Sequence, residues 1–300
     1  MKTAISIGNF DAVHQGHMAL INEARQAVGS KGRVEMWSFD PSPASVLRKD
    51  VHIDRLTTFS QRRTLLLEAG ADEVVRIEPT MELLNLPPEE YISKITTEVS
   101  PTYIVEGEGF RFGHHRAGTI ETLRELGKEF NFELIEVTGV EVTLEDHSIV
   151  RASSSMVRWL LNRGRVQDVE RMLGRQYEIS GNVVQGDCRG REMGVPTANM
   201  GDVQTMLPKD GIYAGNATID AVTYSSAISV GTKPTFGKNE RMCEVHLIGF
   251  DGEIGKYDWP LTVTISHWIR DQIKFDSIEA LTIAMERDIQ TSITMTESNL

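Results

Sequence analysis

Between residues 150 and 180 the chain changes its hydrophobic period, and that change constrains the fold more than any other feature of the sequence. Upstream, short β-rich runs alternate with helical patterns: 4–8, 34–39, 73–77, 102–106 and 132–137 read as strands, and 17–28, 61–69, 88–98 and 120–130 as helices. A repeated strand–helix order lays successive strands in parallel and covers the sheet with helices. Downstream the intervening helices vanish. Residues 178–185, 212–219, 223–230, 243–250 and 261–268 are strand-like and separated by Gly, Pro and Asp turns, the pattern of a small antiparallel barrel. Two short helical segments, 155–162 and 166–173, separated by Gly164 and ended by Gly174, bridge the halves. A last amphipathic helix over 277–289, with Ser277 as its N-cap, closes the chain. The expected fold class is α/β plus β: a doubly wound parallel-sheet domain over 1–175 and an antiparallel β-barrel with a terminal helix over 176–300.

Three hundred residues with 40% hydrophobic and 25% charged side chains suffice for two ordinary globular cores. The formal net charge of -12 argues against a general nucleic-acid or membrane-surface binder, so small-molecule partners are expected. Anionic ligands must then meet local positive clusters, for which the sequence offers Arg111, His114, His115 and Arg116, then Arg151 and Arg158, then Arg189 and Arg191. Two cysteines, Cys188 and Cys243, provide neither a disulfide framework nor a metal-ligand spacing, which points to a reducing, cytoplasmic setting. The first apolar run is broken by Gly8, Asn9 and Asp11, too early for a signal peptide, and no apolar stretch approaches the roughly 20 residues of a membrane span.

Two segments carry the chemistry. The first, Gly8-Asn9-Phe10-Asp11-Ala12-Val13-His14-Gln15-Gly16-His17, follows the first strand and opens the first helix. A helix N-terminus favours an anion, and two imidazoles three residues apart donate to phosphate oxygens. Zinc is the competing reading, but neither Cys nor an HExxH pattern supplies the remaining ligands. The second segment runs from Gly181 to Asn199 and holds Gly186, Gly190 and Gly194 interleaved with Arg189 and Arg191. It lacks a Walker motif, so a kinase here would hold triphosphate in another way.

The first segment resembles the H-x-G-H signature of the nucleotidyltransferase superfamily of adenylyltransferases. Ser38-Phe39-Asp40-Pro41-Ser42-Pro43, Arg55-Leu56-Thr57, Gly107-Glu108-Gly109-Phe110-Arg111-Phe112-Gly113 and Ser153-Ser154-Ser155-Met156-Val157-Arg158 are similar, in this order, to segments of bacterial FAD synthetases. Gly109 stands where that family usually carries Asp or Asn, and Ser155 where it carries Thr. The resemblance implies a Rossmann-like nucleotidyltransferase domain that joins FMN to the adenylyl group of ATP and releases pyrophosphate. It implies His14 and His17 as catalytic phosphate contacts, Gly8, Phe10, Asp11 and Gly16 in the ATP loop, and Arg151, Ser154, Ser155 and Arg158 as a second phosphate-binding segment. An N-cap role is the alternative for one of Ser154 and Ser155.

From Tyr177 onward the chain resembles riboflavin kinases, on Pro196-Thr197-Ala198-Asn199, Gly211-Ile212-Tyr213, Gly231-Thr232-Lys233-Pro234-Thr235-Phe236-Gly237, Glu244-Val245-His246-Leu247 and Lys274-Phe275-Asp276-Ser277. This resemblance implies that Gly186, Gly190, Thr197 and Asn199 bind ATP, with Thr197 holding Mg²⁺ together with the phosphates, and that Glu244 is the base for the ribityl 5′-hydroxyl. Strand alternation puts Glu244 and His246 on one face and Val245 and Leu247 on the other. Substrates are then ATP, riboflavin and FMN, with Mg²⁺ required. A kinase with a weakened adenylyltransferase half and a non-catalytic flavin-binding regulator are the alternatives. A mere binder has no need of a base at Glu244.

Overall fold

The computed structural model describes residues 1–48, 50, 52–186, 194–232, 241–252 and 255–297. The chain forms two compact units, Met1–Val142 with Ile149–Ser154, and Thr143–Ser148 with Ser155–Leu300.

In the first unit β1 (Thr3–Gly8), β2 (Arg33–Phe39), β3 (Glu73–Ile77), β4 (Tyr103–Gly107) and β5 (Glu133–Val137) form one sheet of order β3-β2-β1-β4-β5, parallel throughout. The inner strands β1, β2 and β4 are buried along most of their length and read as largely apolar runs, whereas the edge strands β3 and β5 are partly exposed. On one face Ala4, Val34, Met36 and Val105 pack against Leu20, Ile21 and Ala24 of α1 (Gln15–Val28) and Leu66 of α3 (Phe59–Glu68), the latter counted after α2 (Pro43–Leu47). On the other, Ile5, Ile7, Trp37 and Ile104 meet Tyr91, Ile92 and Ile95 of α5 (Pro88–Val99) and Leu123 and Leu126 of α6 (Ile120–Phe130). The strand order reverses between β1 and β4, so the crevice beyond their carboxyl ends is where a ligand is expected in a sheet of this kind. Helix α2, helix α4 (Met81–Leu84), the 3-10 turn His114–Arg116 and the ribbon of β6 (Glu141–Thr143) and β7 (Ile149–Arg151) are additions to the expected order. All are too short to display a period.

The second unit contains α7 (Ser154–Leu161) from Ser155 on, α8 (Val166–Leu173) and a closed antiparallel barrel. Its strands are β8 (Tyr177–Val184), β9 (Ala198–Gly201), β10 (Gly211–Ile219), β11 (Val222–Thr232), β12 (Arg241–Leu247) and β13 (Pro260–Arg270), in the cyclic order β10-β11-β12-β9-β8-β13. Strand β9 corrects the sequence reading, which left it in the glycine-rich segment; four residues are too few for alternation to register. The terminal helix α9 (Ile278–Glu297) also runs past the expected end at Ile289. Its later buried positions are Ser292 and Thr296, polar residues that interrupt the amphipathic signal, and Thr296 Oγ1 instead donates to Ser225 Oγ at 2.8 Å. At its start the Ala280 N–H donates to Ser277 Oγ at 3.1 Å, the expected cap. Among the described residues no helix is long and apolar enough to cross a membrane.

Candidate active sites

The loop from β1 to α1 holds an unusual backbone: Phe10, Ala12 and Val13 have φ of 46°, 73° and 47°. In residues with a Cβ this conformation costs on the order of 1–3 kcal/mol each, and it persists only where the surroundings over-determine it. Here they do. The Asp11 carboxylate accepts the Leu56 N–H at 3.1 Å and the Thr57 N–H and hydroxyl at 2.9 Å each, while the Ala12 N–H donates to Thr57 Oγ1 at 3.1 Å. Ser154 Oγ donates to the Asp11 carbonyl at 2.7 Å, and Ser38 Oγ to that of Asn9 at 3.3 Å. The guanidinium of Arg62, buried on α3, donates to Ser38 Oγ at 3.1 Å and to the Phe39 carbonyl at 2.8 Å, and lies 3.9 Å from Asp11.

The loop thereby delivers His14 and His17 in a fixed arrangement. His14 is the residue before α1, whose first turn carries no acidic residue and no side-chain cap, so the helix dipole favours an incoming anion there. The two imidazoles stack with centroids 3.6 Å apart, and Phe10 meets His17 edge-on at 5.2 Å. A Cβ at Gly16 would sit 3.1 Å from His14 Nδ1, a tight contact that glycine avoids. Gly8 similarly faces the Phe10 ring, 3.1 Å from where its Cβ would be.

The Asp11 carboxylate, which the resemblance puts in the ATP loop, is engaged by Leu56 and Thr57 and so shapes the loop. Ser154 does the same through its hydroxyl. Arg151 pairs with Glu108 at 2.7 Å, its guanidinium lying against Gly139, where a Cβ would collide with it. Ser155 and Arg158 are on α7 in the second unit, with Ser155 exposed. A Cβ at Gly109 would meet nothing within 4 Å, so packing does not demand glycine there. Arg62 escaped the sequence reading. Its signal is the spacing of Arg62 and Leu66, four apart on the buried face of α3, which sets a cation where an apolar residue belongs.

In the barrel, one row of paired residues crosses three strands: Asn199 on β9, Glu244 on β12 and Ser229 on β11. Directly paired residues point to the same face. Cys243 and Val245 are wholly buried while Glu244 and His246 are half-buried, so the barrel interior takes the apolar pair and Glu244 and His246 lie on the outer face, as alternation predicts. Burial pushes the Cys243 thiol up to about 12, with the neighbouring Glu244 charge adding to the effect, and this removes it as a nucleophile. His246 Nδ1 lies 2.8 Å from the Pro196 carbonyl, tying the residue before Thr197 to the strand that bears Glu244. Asn199 is 5% exposed, and a Cβ at Gly186 would collide with its amide. Gly186→Ala is therefore expected to displace Asn199 and lower phosphorylation by roughly tenfold, the order of loss for a sub-ångström misplacement. Steady-state kinetics with ATP varied would show it, and an unchanged KM for ATP would count against this use of Asn199. Gly190 lies outside the described residues, as do 233–237 of the Gly231 segment. Tyr213 of the Gly211-Ile212-Tyr213 segment is core: it is fully buried, edge-on to Trp268 at 5.1 Å.

Among the described residues no group of three or more His, Cys, Asp or Glu side chains could hold a metal ion. Asn199 and Glu244, directly paired on adjacent strands, place an amide and a carboxylate on one face, oxygen groups of the kind Mg²⁺ accepts beside waters and substrate phosphates.

Comparison with known proteins agrees with both halves. The family model for FAD synthetase matches residues 1–153 and that for riboflavin kinase residues 173–296. The chain is 31% identical over 299 residues to the bifunctional riboflavin kinase/FMN adenylyltransferase of Bacillus subtilis (strain 168), covering 97% of this chain and 92% of that protein. The protein of the same name from Escherichia coli (strain K12) is 31% identical over 292 residues, covering 96% and 91%. A crystal structure described as a macrolide-efflux protein from Streptococcus pneumoniae has a similar fold, with a TM-score of 0.86 and 27% identity over 97% of this chain and 93% of that one. Matched by both family models and along nearly its whole length by these relatives, the chain belongs to the bifunctional riboflavin kinase/FMN adenylyltransferase family.

Proposed function

We propose that the second unit phosphorylates riboflavin to FMN at the Thr197, Asn199 and Glu244 site, and that the first unit transfers the adenylyl group of ATP to FMN at the His14 and His17 site. In the kinase step the Glu244 carboxylate accepts the proton of the ribityl 5′-hydroxyl as that oxygen attacks the γ-phosphorus of ATP, and ADP leaves. A primary alcohol is a poor nucleophile at neutral pH, and a positioned carboxylate raises its reactivity. Thr197 would hold Mg²⁺ with the ATP phosphates, and the ion supplies charge neutralisation on the triphosphate. Asn199 orients the phosphates beside Glu244.

In the transfer step an FMN phosphate oxygen attacks the α-phosphorus of ATP in line and pyrophosphate leaves, with no covalent enzyme intermediate. His14 and His17 donate to the phosphate oxygens as charge builds, in a loop already held in its strained form. Arg151, in the same unit, provides further positive charge. The division expected near residue 175 lies inside the second unit, which takes up the chain from Ser155, and the stretch 154–172 belongs to neither family match.

The observation that carries the reading is the pairing of Asn199 and Glu244 on adjacent strands, with the Pro196 carbonyl bound by His246. Chromatography of products from riboflavin with Mg-ATP tests it. FMN and then FAD should appear, with ADP and pyrophosphate, and neither should form when Mg²⁺ is chelated. Unreacted riboflavin would refute the kinase assignment, and FMN without FAD or pyrophosphate would refute the transferase. We place the protein in the cytoplasm, with small-molecule substrates and no nucleic-acid or membrane partner, in keeping with its net charge of -12.

A further inference from the structure

The parallel register of β1 and β4 runs over Ala4↔Tyr103 and Ile5↔Ile104. Each strand continues on its other side: β1 stays paired with β2 as far as Gly8↔Ser38, and β4 with β5 as far as Gly107↔Val137. The two central strands therefore part after Ile5 and Ile104, at the strand-order reversal, where a ligand crevice opens. Parting leaves the Ile7 N–H, which is buried, in need of an acceptor. A side chain provides it. Glu106 Oε1 accepts the Ile7 N–H at 2.6 Å, and Ser6 Oγ lies 3.5 Å from the same oxygen.

Glu106 is 3% exposed and is not one of the residues assigned to the chemistry above. Burial pushes its carboxyl well above the usual carboxylate range, and the Ile7 N–H and Ser6 hydroxyl, which favour the anion, only partly offset this. The environment thus favours the uncharged acid, for which an amide of the same shape is a close substitute.

We propose that Glu106 is a positioning residue of the adenylyl-transfer site: its carboxyl takes the place of the missing ladder carbonyl at Ile7, holds the ends of β1 and β4 apart, and so sets where the loop bearing His14 and His17 leaves the sheet. Gly8, Asn9 and Phe10 follow Ile7 in turn, so a shift of the β1 end is transmitted into the strained stretch Phe10–Val13 and on to the stacked imidazoles. This inference rests on the first unit being the transferase. Formation of FAD from FMN and Mg-ATP by the unaltered protein tests that premise by itself, before any variant is compared.

The test uses the full chain with Glu106→Gln and Glu106→Met, measuring FMN adenylylation with FMN and ATP varied, riboflavin phosphorylation on the same preparation, and thermal unfolding. Glutamine still offers Oε1 to Ile7, and methionine fills the same volume without an acceptor. Expected are a kcat within about threefold of wild type for Glu106→Gln and a loss of roughly 10- to 100-fold in adenylylation for Glu106→Met, with phosphorylation unchanged in both. A merely structural role would lower the unfolding temperature of Glu106→Met while leaving kcat and KM of the folded enzyme at wild-type values, and that result overturns the proposal. So does an equal loss in Glu106→Gln and Glu106→Met. If Glu106→Met does not fold, Glu106→Asp takes its place, because it keeps the carboxyl but lacks the reach to Ile7; wild-type adenylylation in that variant likewise overturns the assignment.

Discussion

Glu244→Gln is expected to slow riboflavin phosphorylation by roughly 10²- to 10⁴-fold, the range that a general base contributes, while FMN supplied from outside is still converted to FAD at the wild-type rate. The amide keeps the size of the side chain and its place in the row between Asn199 and Ser229. What it loses is the capacity to accept a proton. The adjacent Cys243 cannot replace it, being buried inside the barrel with its thiol pushed up to about 12. Single-turnover measurement of FMN formation, with FAD formation followed in a parallel reaction, reads both activities from one preparation. Equal loss of the two would contradict independent centres, and retention of phosphorylation would remove Glu244 as the base.

His17→Ala gives the second large effect and its mirror image. Adenylyl transfer should fall by roughly 10²- to 10³-fold, the usual consequence of deleting one preorganised donor to developing negative charge, with riboflavin phosphorylation untouched. His17 is the third residue of α1, stacked on His14 at 3.6 Å, so its removal takes away a donor and the ring that braces the other imidazole. The loop itself should survive, since Thr57, Ser38 and Ser154 secure it through Asp11, Ala12 and Asn9. Pyrophosphate release with saturating FMN and ATP measures the loss. A fall of less than about threefold would show that phosphate stabilisation at this site comes from elsewhere.

Much of the fold is legible before any coordinates, because strands buried on both faces and long amphipathic helices write their periods into the sequence. The strands at 4–8 and 73–77 and the helix at 120–130 coincide with β1, β3 and α6 within a residue. Strand β9 is not legible, since four residues hold two alternations at most, and yet it is the strand that carries Asn199. The last turns of α9 are hidden for another reason: Ser292 and Thr296 are buried polar residues whose hydroxyls bond to backbone or to Ser225, so they look like surface positions.

The two sites divide in the same way. The residue types and their order, from His14 and His17 through Thr197 and Asn199 to Glu244, carry the family resemblance from which the two proposed centres follow. Sequence separation conceals what holds them. Asp11 looks like a ligand contact until Leu56 and Thr57 are seen to take its carboxylate, 45 and 46 residues away. Glu106 looks like an ordinary charged residue until the parting of β1 and β4 leaves the Ile7 N–H to it, across 99 residues. Local pattern determined most of the elements, since those depend on neighbours a few residues apart. Only the tertiary structure decided which polar groups serve the ligands and which serve the fold, because a buried donor or acceptor must find its partner wherever the chain brings one.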